Sequence, residues 1–330
     1  MNRTHLGLQI PNFTYPGVAP SQLFERVAAQ TVAAEQSGFD TVFVMDHFFQ
    51  LPMLGQPQQE MFESYSLLAA LAARTSSVRL GTLVTGVTYR EPALLAKSVT
   101  ALDVISAGRA LLGIGAAWFK EEHEALGFTF PPLRERYEHL VDALEICRRM
   151  FTQPSSTYVG RHHSITDAFN SPGPINGDIP IMIGGQGEQK TFRLAAQYAQ
   201  ELNTTALFVD LPRKLDALQG HLDDLGRARE DIAVSVLGTL VLAPTHDAAL
   251  DKLRAVVAAR GGDADALLAD EAASQQVLGR FVWGDADEVA AKAQELIALG
   301  LDGLVFNMIG DADDTDAVTF AGETLTKAIG

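Results

Sequence analysis

Two adjacent residues, Asp46 and His47, carry the most direct proton chemistry in this chain. A histidine titrates near neutrality and can donate or accept a proton, and a neighbouring carboxylate can orient or polarise it. The pair stands in Met45-Asp46-His47-Phe48-Phe49, at the end of a β-branched run and ahead of aromatics that could line a pocket. The dipeptide also fits a plainer arrangement, with Asp46 capping a turn and His47 exposed. A second candidate is Trp118, which follows Gly115-Ala116-Ala117. Small residues let a planar ring lie close, and the indole can wall a pocket or donate through its N–H. Ordinary packing of Trp118 is the alternative.

Two glycine-rich stretches could shape a ligand site. In Gly81-Thr82-Leu83-Val84-Thr85-Gly86, glycines at a strand end suggest a bulge or a close approach of backbone to a ligand. In Ile183-Gly184-Gly185-Gln186-Gly187-Glu188, the loop exposes backbone N–H groups ahead of a helix expected from Gln189, which together make an anion site; Lys190 and Arg193 are near enough to assist. The stretch has neither the dinucleotide fingerprint nor the nucleotide-triphosphate loop pattern, so a simple turn stays open.

The formal charge of −16 repels phosphate backbones, and no dense Lys/Arg run offsets it, which excludes nucleic acid as a partner class. An anionic cofactor would need a local backbone-amide or basic site against that field. Potential metal ligands exist in His47, His123, His162 and His163 with Asp46, Glu121 and Glu122, but their spacing matches no dense metal motif. No metal is expected, and His162-His163 reads as a solvated loop pair. Cys147 is the only cysteine, so an intrachain disulfide is excluded; its place on an apolar helix face points to inert burial.

The elements that must position these residues alternate along the chain. Leu6–Ile10, Thr41–Met45, Val78–Val84, Ala110–Ile114, Ile179–Ile183, Glu201–Thr204, Val234–Leu242 and Gly303–Phe306 read as strands, separated by helical patterns such as Ser21–Ser37 and Ser64–Thr75. Gly38 suits a helix C-cap, and Asp285 with Glu288 has capping-box spacing ahead of a helix ending at Gly300. Eight parallel strands alternating with helices predict one closed (β/α)8 barrel, a TIM barrel over residues 1–330, with ligand binding at the C-terminal strand ends. Two segments break the alternation, 153–178 and 261–280, and read as insertions that could cover a pocket.

With 47% hydrophobic and 20% charged residues the chain can bury a large core, and no apolar run reaches the length of a membrane span. No secretory signal is visible at the N-terminus, so the expected place is the cytoplasm. Apolar helix faces suggest a homodimer.

Together, Leu80-Gly81-Thr82, the run from Leu102 to Arg109 and Ile183 to Gly187 resemble the luciferase-like monooxygenase superfamily, in its F420-dependent oxidoreductase branch. The resemblance implies a bacterial-luciferase-like barrel binding coenzyme F420, with FMN as the alternative cofactor, and a small-molecule substrate. It implies a non-proline cis peptide within Leu83-Val84-Thr85, first at Leu83-Val84, backing a flavin-like ring. Asp46 would hydrogen-bond the ring, His47 would face the substrate, Gly115 to Trp118 would border the ring, and Gly184 to Glu188 would hold the tail phosphate. An FMN-dependent monooxygenase fed by a partner flavin reductase, or a non-catalytic flavin-binding barrel, would share the fold. Many relatives have Ala-Gly-Trp where this chain has Ala116-Ala117-Trp118, and F420-dependent sugar-phosphate dehydrogenases carry a glutamate acid near that tryptophan. The difference argues against sugar-phosphate dehydrogenation by the same acid/base pair. Gln200-Glu201-Leu202-Asn203 likewise replaces a more usual Ala-Asp-rich end, which leaves Asn203 a minor pocket role.

Overall fold

The computed structural model describes residues 4–311 and 313–330. Eight parallel strands close a ring: β1 (His5–Ile10), β2 (Thr41–Val44), β3 (Arg79–Thr82), β4 (Ala110–Gly115), β5 (Ile181–Gly184), β6 (Glu201–Thr204), β7 (Ala233–Leu242) and β8 (Gly303–Asn307). β8 lies between β7 and β1, and Ala233 pairs with Glu201 to join β7 to β6, so no edge is left in the ring. Strands buried on both faces read as continuous apolar runs, and β2 and β4 are buried at every residue. Phe43, Leu111, Met182 and Val305 fill the interior, with Leu83 and Val84 packed against them. Outside, the apolar faces of helices such as Leu23–Ser37, Pro92–Ile105 and Thr315–Ile329 cover the ring. The barrel is therefore a packed core, and only its mouths can bind ligands.

Local signals hold where they were read. Gly38, at φ 104°, caps the helix Leu23–Ser37. The Asp285 carboxylate accepts from the N–H groups of Asp287 and Glu288, and Glu288 accepts from the Asp285 N–H, ahead of the helix Ala286–Ala298. Cys147 is buried, and burial pushes its thiol up to about 12, so the thiol is inert.

The structure departs from the expected outline, or adds to it, at four places. β3 stops at Thr82 instead of Val84: Gly81 pairs with Leu111 and the next pairing joins Thr85 to Ile114, so four steps on one strand answer three on the other, a bulge. Segment 153–178 is ordered, and its tip reaches Glu91, one residue past Arg90, through His163. It forms an antiparallel hairpin, Ser156–Val159 with Ser164–Ala168, and then runs over the outer helices; Asn170 donates to Thr100, and the Ile175 N–H to Asp103. Segment 261–280 folds into the helices Ala264–Ala269 and Glu271–Leu278, and it does reach the C-terminal rim: just before it, Arg260 donates to the Met53 carbonyl, and at its end the Gly279 carbonyl accepts from the Phe208 N–H. Finally, a further strand, Phe281–Gly284, pairs with the C-terminal half of β7, which is long enough to serve β6 and this strand in succession.

Candidate active site at the C-terminal mouth of the barrel

His47 and Trp118 meet at the mouth, with ring centroids 5.9 Å apart and planes at 74°. Trp118 is 53% exposed, uncommon for so large an apolar ring and expected where a ligand or partner covers it. Behind His47 stands a residue that sequence reasoning placed only among possible metal ligands. The Glu122 carboxylate, wholly buried, lies 3.1 Å from His47 Nδ1 and accepts from the N–H groups of Phe48 at 2.5 Å and Phe49 at 2.7 Å and from the Tyr89 hydroxyl.

Burial alone would push the Glu122 carboxyl up; the bonds from His47, Tyr89 and the Phe49 backbone outweigh it and hold the group below its ordinary value. An ionised carboxylate only accepts, so His47 Nδ1 carries the proton and Nε2 is the nitrogen left for a ligand. Among the described residues Nε2 has no hydrogen-bond partner. The missed signal was positional: Glu122 opens the helix Lys120–Leu126 just after Trp118, where a carboxylate is well placed but its partner, 75 residues away, is invisible.

Asp46 does not serve His47. Its two carboxylate oxygens accept from Arg90 at 2.7 and 2.9 Å, and one accepts from the Ser64 hydroxyl at 2.6 Å. Arg90 also pairs with Glu63 and lies over the Tyr65 ring. The expected hydrogen bond from Asp46 to a bound ring therefore meets a carboxylate already engaged on both oxygens.

The bulge converges on the glycines of β4 and β5. The Leu83–Val84 peptide is cis, at the bond expected. A Cβ on Gly184 would lie 2.6 Å from a Val84 methyl, and one on Gly115 would lie 3.0 Å from the other, so Val84 takes up space that side chains at 115 and 184 would need. Ala116 and Ala117 follow on the rim, the latter at φ 58°, and their carbonyls accept from Arg136, whose guanidinium lies 4.1 Å from the Phe130 ring centroid. Thr85 faces elsewhere. It is fully buried, and its hydroxyl is bound to Tyr65 at 2.7 Å and Thr82 at 2.8 Å, so its side chain is structural. Beside the bulge, Gln9 donates to the Leu83 carbonyl; Asn203 donates to Ser235.

The Gly184–Glu188 loop keeps free donors. Gly185 donates to the Asn203 carbonyl, whereas among the described residues the N–H groups of Gln186, Gly187 and Glu188 have no acceptor. The following helix begins at Thr191 rather than Gln189. Glu188 is not free: its carboxylate pairs with Arg213 and Lys214, and its carbonyl accepts from His221. Lys214 and Arg213, missed in the sequence because they lie a full strand–helix unit away, bring positive charge to the loop. Lys190 lies 5.2 Å from the centre of the Tyr137 ring, and Tyr137 bonds Thr191 at 2.7 Å. Free amides, glycines and these cations fit the phosphate of an anionic cofactor.

The opposite mouth is different. A shallow depression there is lined by His5, Asp40, Arg79, Glu201 and Asp302. Arg79 pairs with Glu201 at 2.5 Å and Arg229 with Asp302 at 2.7 Å, so these charges tie strand ends together.

The barrel and the residues at its mouth define a (β/α)8 protein with a candidate binding surface at its C-terminal rim. The chain belongs to the luciferase-like monooxygenase family, whose profile matches residues 4–303. An F420-dependent glucose-6-phosphate dehydrogenase of Microbacterium testaceum is 31% identical over 313 residues, spanning 90% of this chain and 91% of that protein. The fold is also that of the coenzyme F420-dependent tetrahydromethanopterin reductase of Methanopyrus kandleri, with a TM-score of 0.80 at 20% identity over 99% of this chain and 100% of that one. EDTA monooxygenase from Chelativorans has a TM-score of 0.82 at 15% identity over 99% of this chain and 94% of that one.

Proposed function

We propose that this chain is a coenzyme F420-dependent oxidoreductase that transfers a hydride between the deazaflavin and a small organic substrate, with His47 as the proton donor or acceptor. The observation that carries the reading is the buried Glu122 carboxylate on His47 Nδ1, which leaves Nε2 free beside exposed Trp118. The F420-dependent dehydrogenase at 31% identity over nearly the whole chain supports the choice of cofactor. When bound, the deazaflavin supplies the hydride acceptor or donor. Val84, Gly115, Ala116, Ala117 and Gly184 would border its ring, and the amides of Gln186 to Glu188 with Lys214 would hold its phosphate. In the oxidising direction, His47 Nε2 takes the substrate's hydroxyl proton; in the reducing direction it returns one. Trp118 walls the substrate and excludes water.

The residues near Trp118 argue against sugar-phosphate dehydrogenation by the acid/base pair of the sugar-phosphate dehydrogenases. Alanines occupy 116 and 117, and Glu122, though close, is wholly buried and committed to His47, so it orients and does not touch substrate. A homodimer in the cytoplasm completes the reading; exposed Leu94 and Ile105 on the helix Pro92–Ile105 supply apolar surface for the pairing.

A side-by-side calorimetric titration of the apo protein with F420 and FMN tests the proposal. Preference for F420 supports it. Preference for FMN, with oxygen consumption in the presence of reduced FMN, replaces it with a monooxygenase served by a flavin reductase, and binding of neither overturns the cofactor assignment.

A further inference from the structure

The helix Leu133–Thr152 and the hairpin Ser156–Ala168 bring three histidines together. The helix presents Glu135, Glu138, His139 and Asp142 at spacings of three and four residues, which is one face. The hairpin turn is held over that face by its backbone. The Asp142 carboxylate, almost completely buried, accepts from the N–H groups of Arg161 at 3.2 Å, His162 at 2.7 Å and His163 at 3.0 Å, and from the Tyr158 hydroxyl at 3.0 Å. A Cβ on Gly160 would run into that carboxylate, so only glycine allows the approach. His162 and His163 are thus placed by Asp142 independently of their rings.

The rings then order one another. His163 Nδ1 lies 3.0 Å from the Glu91 carboxylate, and His163 Nε2 lies 2.8 Å from His139 Nδ1. Glu91 as a carboxylate only accepts, so His163 carries its proton on Nδ1, its Nε2 accepts, and His139 donates from Nδ1. This leaves His139 Nε2 as a lone pair, 3.8 Å from a Glu135 oxygen: too far for a hydrogen bond and a spacing that two ligands of one ion can take. One ligand atom each from Glu135, His139 and His162 lies within 4.8 Å of the others. A carboxylate behind a histidine that donates from its other nitrogen is the usual support of a ligating imidazole, here relayed through His163.

We infer that Glu135, His139 and His162 bind a late first-row divalent cation such as Zn²⁺, which fastens the hairpin to the helix. Two imidazole nitrogens and one carboxylate suit zinc and its neighbours, whereas Mg²⁺ and Ca²⁺ require an all-oxygen set. Glu138 accepts from His162 Nε2 at 3.1 Å and pairs with Arg134 and Arg161, so His162 Nε2 is protonated before an ion arrives and the ring gives up this bond as it turns to ligate. The rings of His139 and His162 stack at 4.2 Å with planes 19° apart, so an ion in the plane of both requires one ring to turn. His139 is pinned through Nδ1, and His162, at the exposed hairpin tip, is the ring that turns. The same helix carries Arg136 and Tyr137, which reach the Ala116–Ala117 carbonyls and Thr191 at the barrel mouth, so the ion would brace the helix that supports that rim.

The test is a calorimetric titration of chelator-stripped, tag-free protein with ZnCl₂, with MgCl₂ in parallel. The expected result is saturable zinc binding at one equivalent, no magnesium binding, and affinity weakened by about 10-fold or more in both His139→Gln and His162→Gln. Absence of saturable zinc binding overturns the inference, as does zinc affinity unchanged in the two variants or equal binding of magnesium. His162→Gln lies on an exposed tip and keeps the comparison decisive should His139→Gln fail to fold.

Discussion

Glu122 lies 3.1 Å from Nδ1 of His47, while Asp46, the acidic residue next to that histidine in the chain, is turned to Arg90. The two carboxylates therefore do separate work: one sets the tautomer of the histidine, the other anchors the strand end on which the histidine stands.

Replacing Glu122 with Gln removes the constraint that Nδ1 be the protonated nitrogen, because an amide can turn either its oxygen or its NH₂ to the ring. We expect kcat to fall by about 10-fold or more, the pH midpoint of kcat to move, and KM to change little, against a fall of roughly 100-fold for His47→Ala with F420 binding retained. Steady-state kinetics across pH check this; an unchanged profile in Glu122→Gln would remove its positioning role.

Asp46→Ala leaves the Arg90 guanidinium, 11% exposed, without its bidentate partner. Breaking a buried pair from one side costs about 3–5 kcal/mol, lowered here by the remaining contact to Glu63. Urea denaturation gives the value, and a loss under about 1 kcal/mol would show that Glu63 alone suffices.

Two glycine substitutions should move stability in opposite directions. At Gly113 in β4 an added Cβ runs into the Thr82 carbonyl oxygen, a backbone atom with nowhere to go, so Gly113→Ala should cost about 1–3 kcal/mol or more. At Gly220, inside the helix Leu211–Leu225, a Cβ meets nothing within 4 Å, and Gly220→Ala should add about 0.5–1 kcal/mol. Thermal melts of both proteins decide the pair.

Stability should fall with acid through His123. Burial holds this histidine below 6.5, outweighing its bond to the Phe119 carbonyl and the nearby Glu122 charge. The unfolded chain therefore takes up the proton first, and stability is lost as pH drops from 6.5 through the lower folded value. His139 is shifted the same way and His5 the opposite way, so the wild-type curve is a sum. The readout is the difference in Tm between wild type and His123→Gln at about pH 7.5 and 5.5, which should narrow at the lower pH. A constant difference would rule out a buried neutral His123.

The strand–helix alternation was legible because parallel strands buried on both faces are nearly continuous apolar runs, as 42–44 and Ala110–Gly115 are. Phe281–Gly284 was not legible: four residues after a polar helical stretch carry little periodicity, and their only advance sign was the unusual length of Ala233–Leu242, to which they pair. At the site, Gly115 was read as room for a planar ring and Gly184 as part of an anion loop; that the cis-linked Val84 reaches both glycines was not legible, because it depends on the fold of the bulge. The partners of His47 and Glu188 escaped notice because hydrogen-bond choice is tertiary. Asp46 sits beside His47 in sequence yet is claimed by Arg90, whereas Glu122 arrives from another strand–helix unit.

The seam of the barrel lies between its first and last strands, where His5 pairs with Gly303. During synthesis β1 therefore emerges with an edge that stays bare until almost the whole chain has left the ribosome. The rim also waits for distant residues, since the contact from Arg260 to Met53 joins positions 207 residues apart. A nascent chain holds His47 and Trp118 long before it holds the ring that aligns them, and for that interval its open strands are exposed to mispairing with neighbouring chains. Competence thus comes late, and an internal deletion of β8 alone should abolish the site although every residue proposed to act in it is still present.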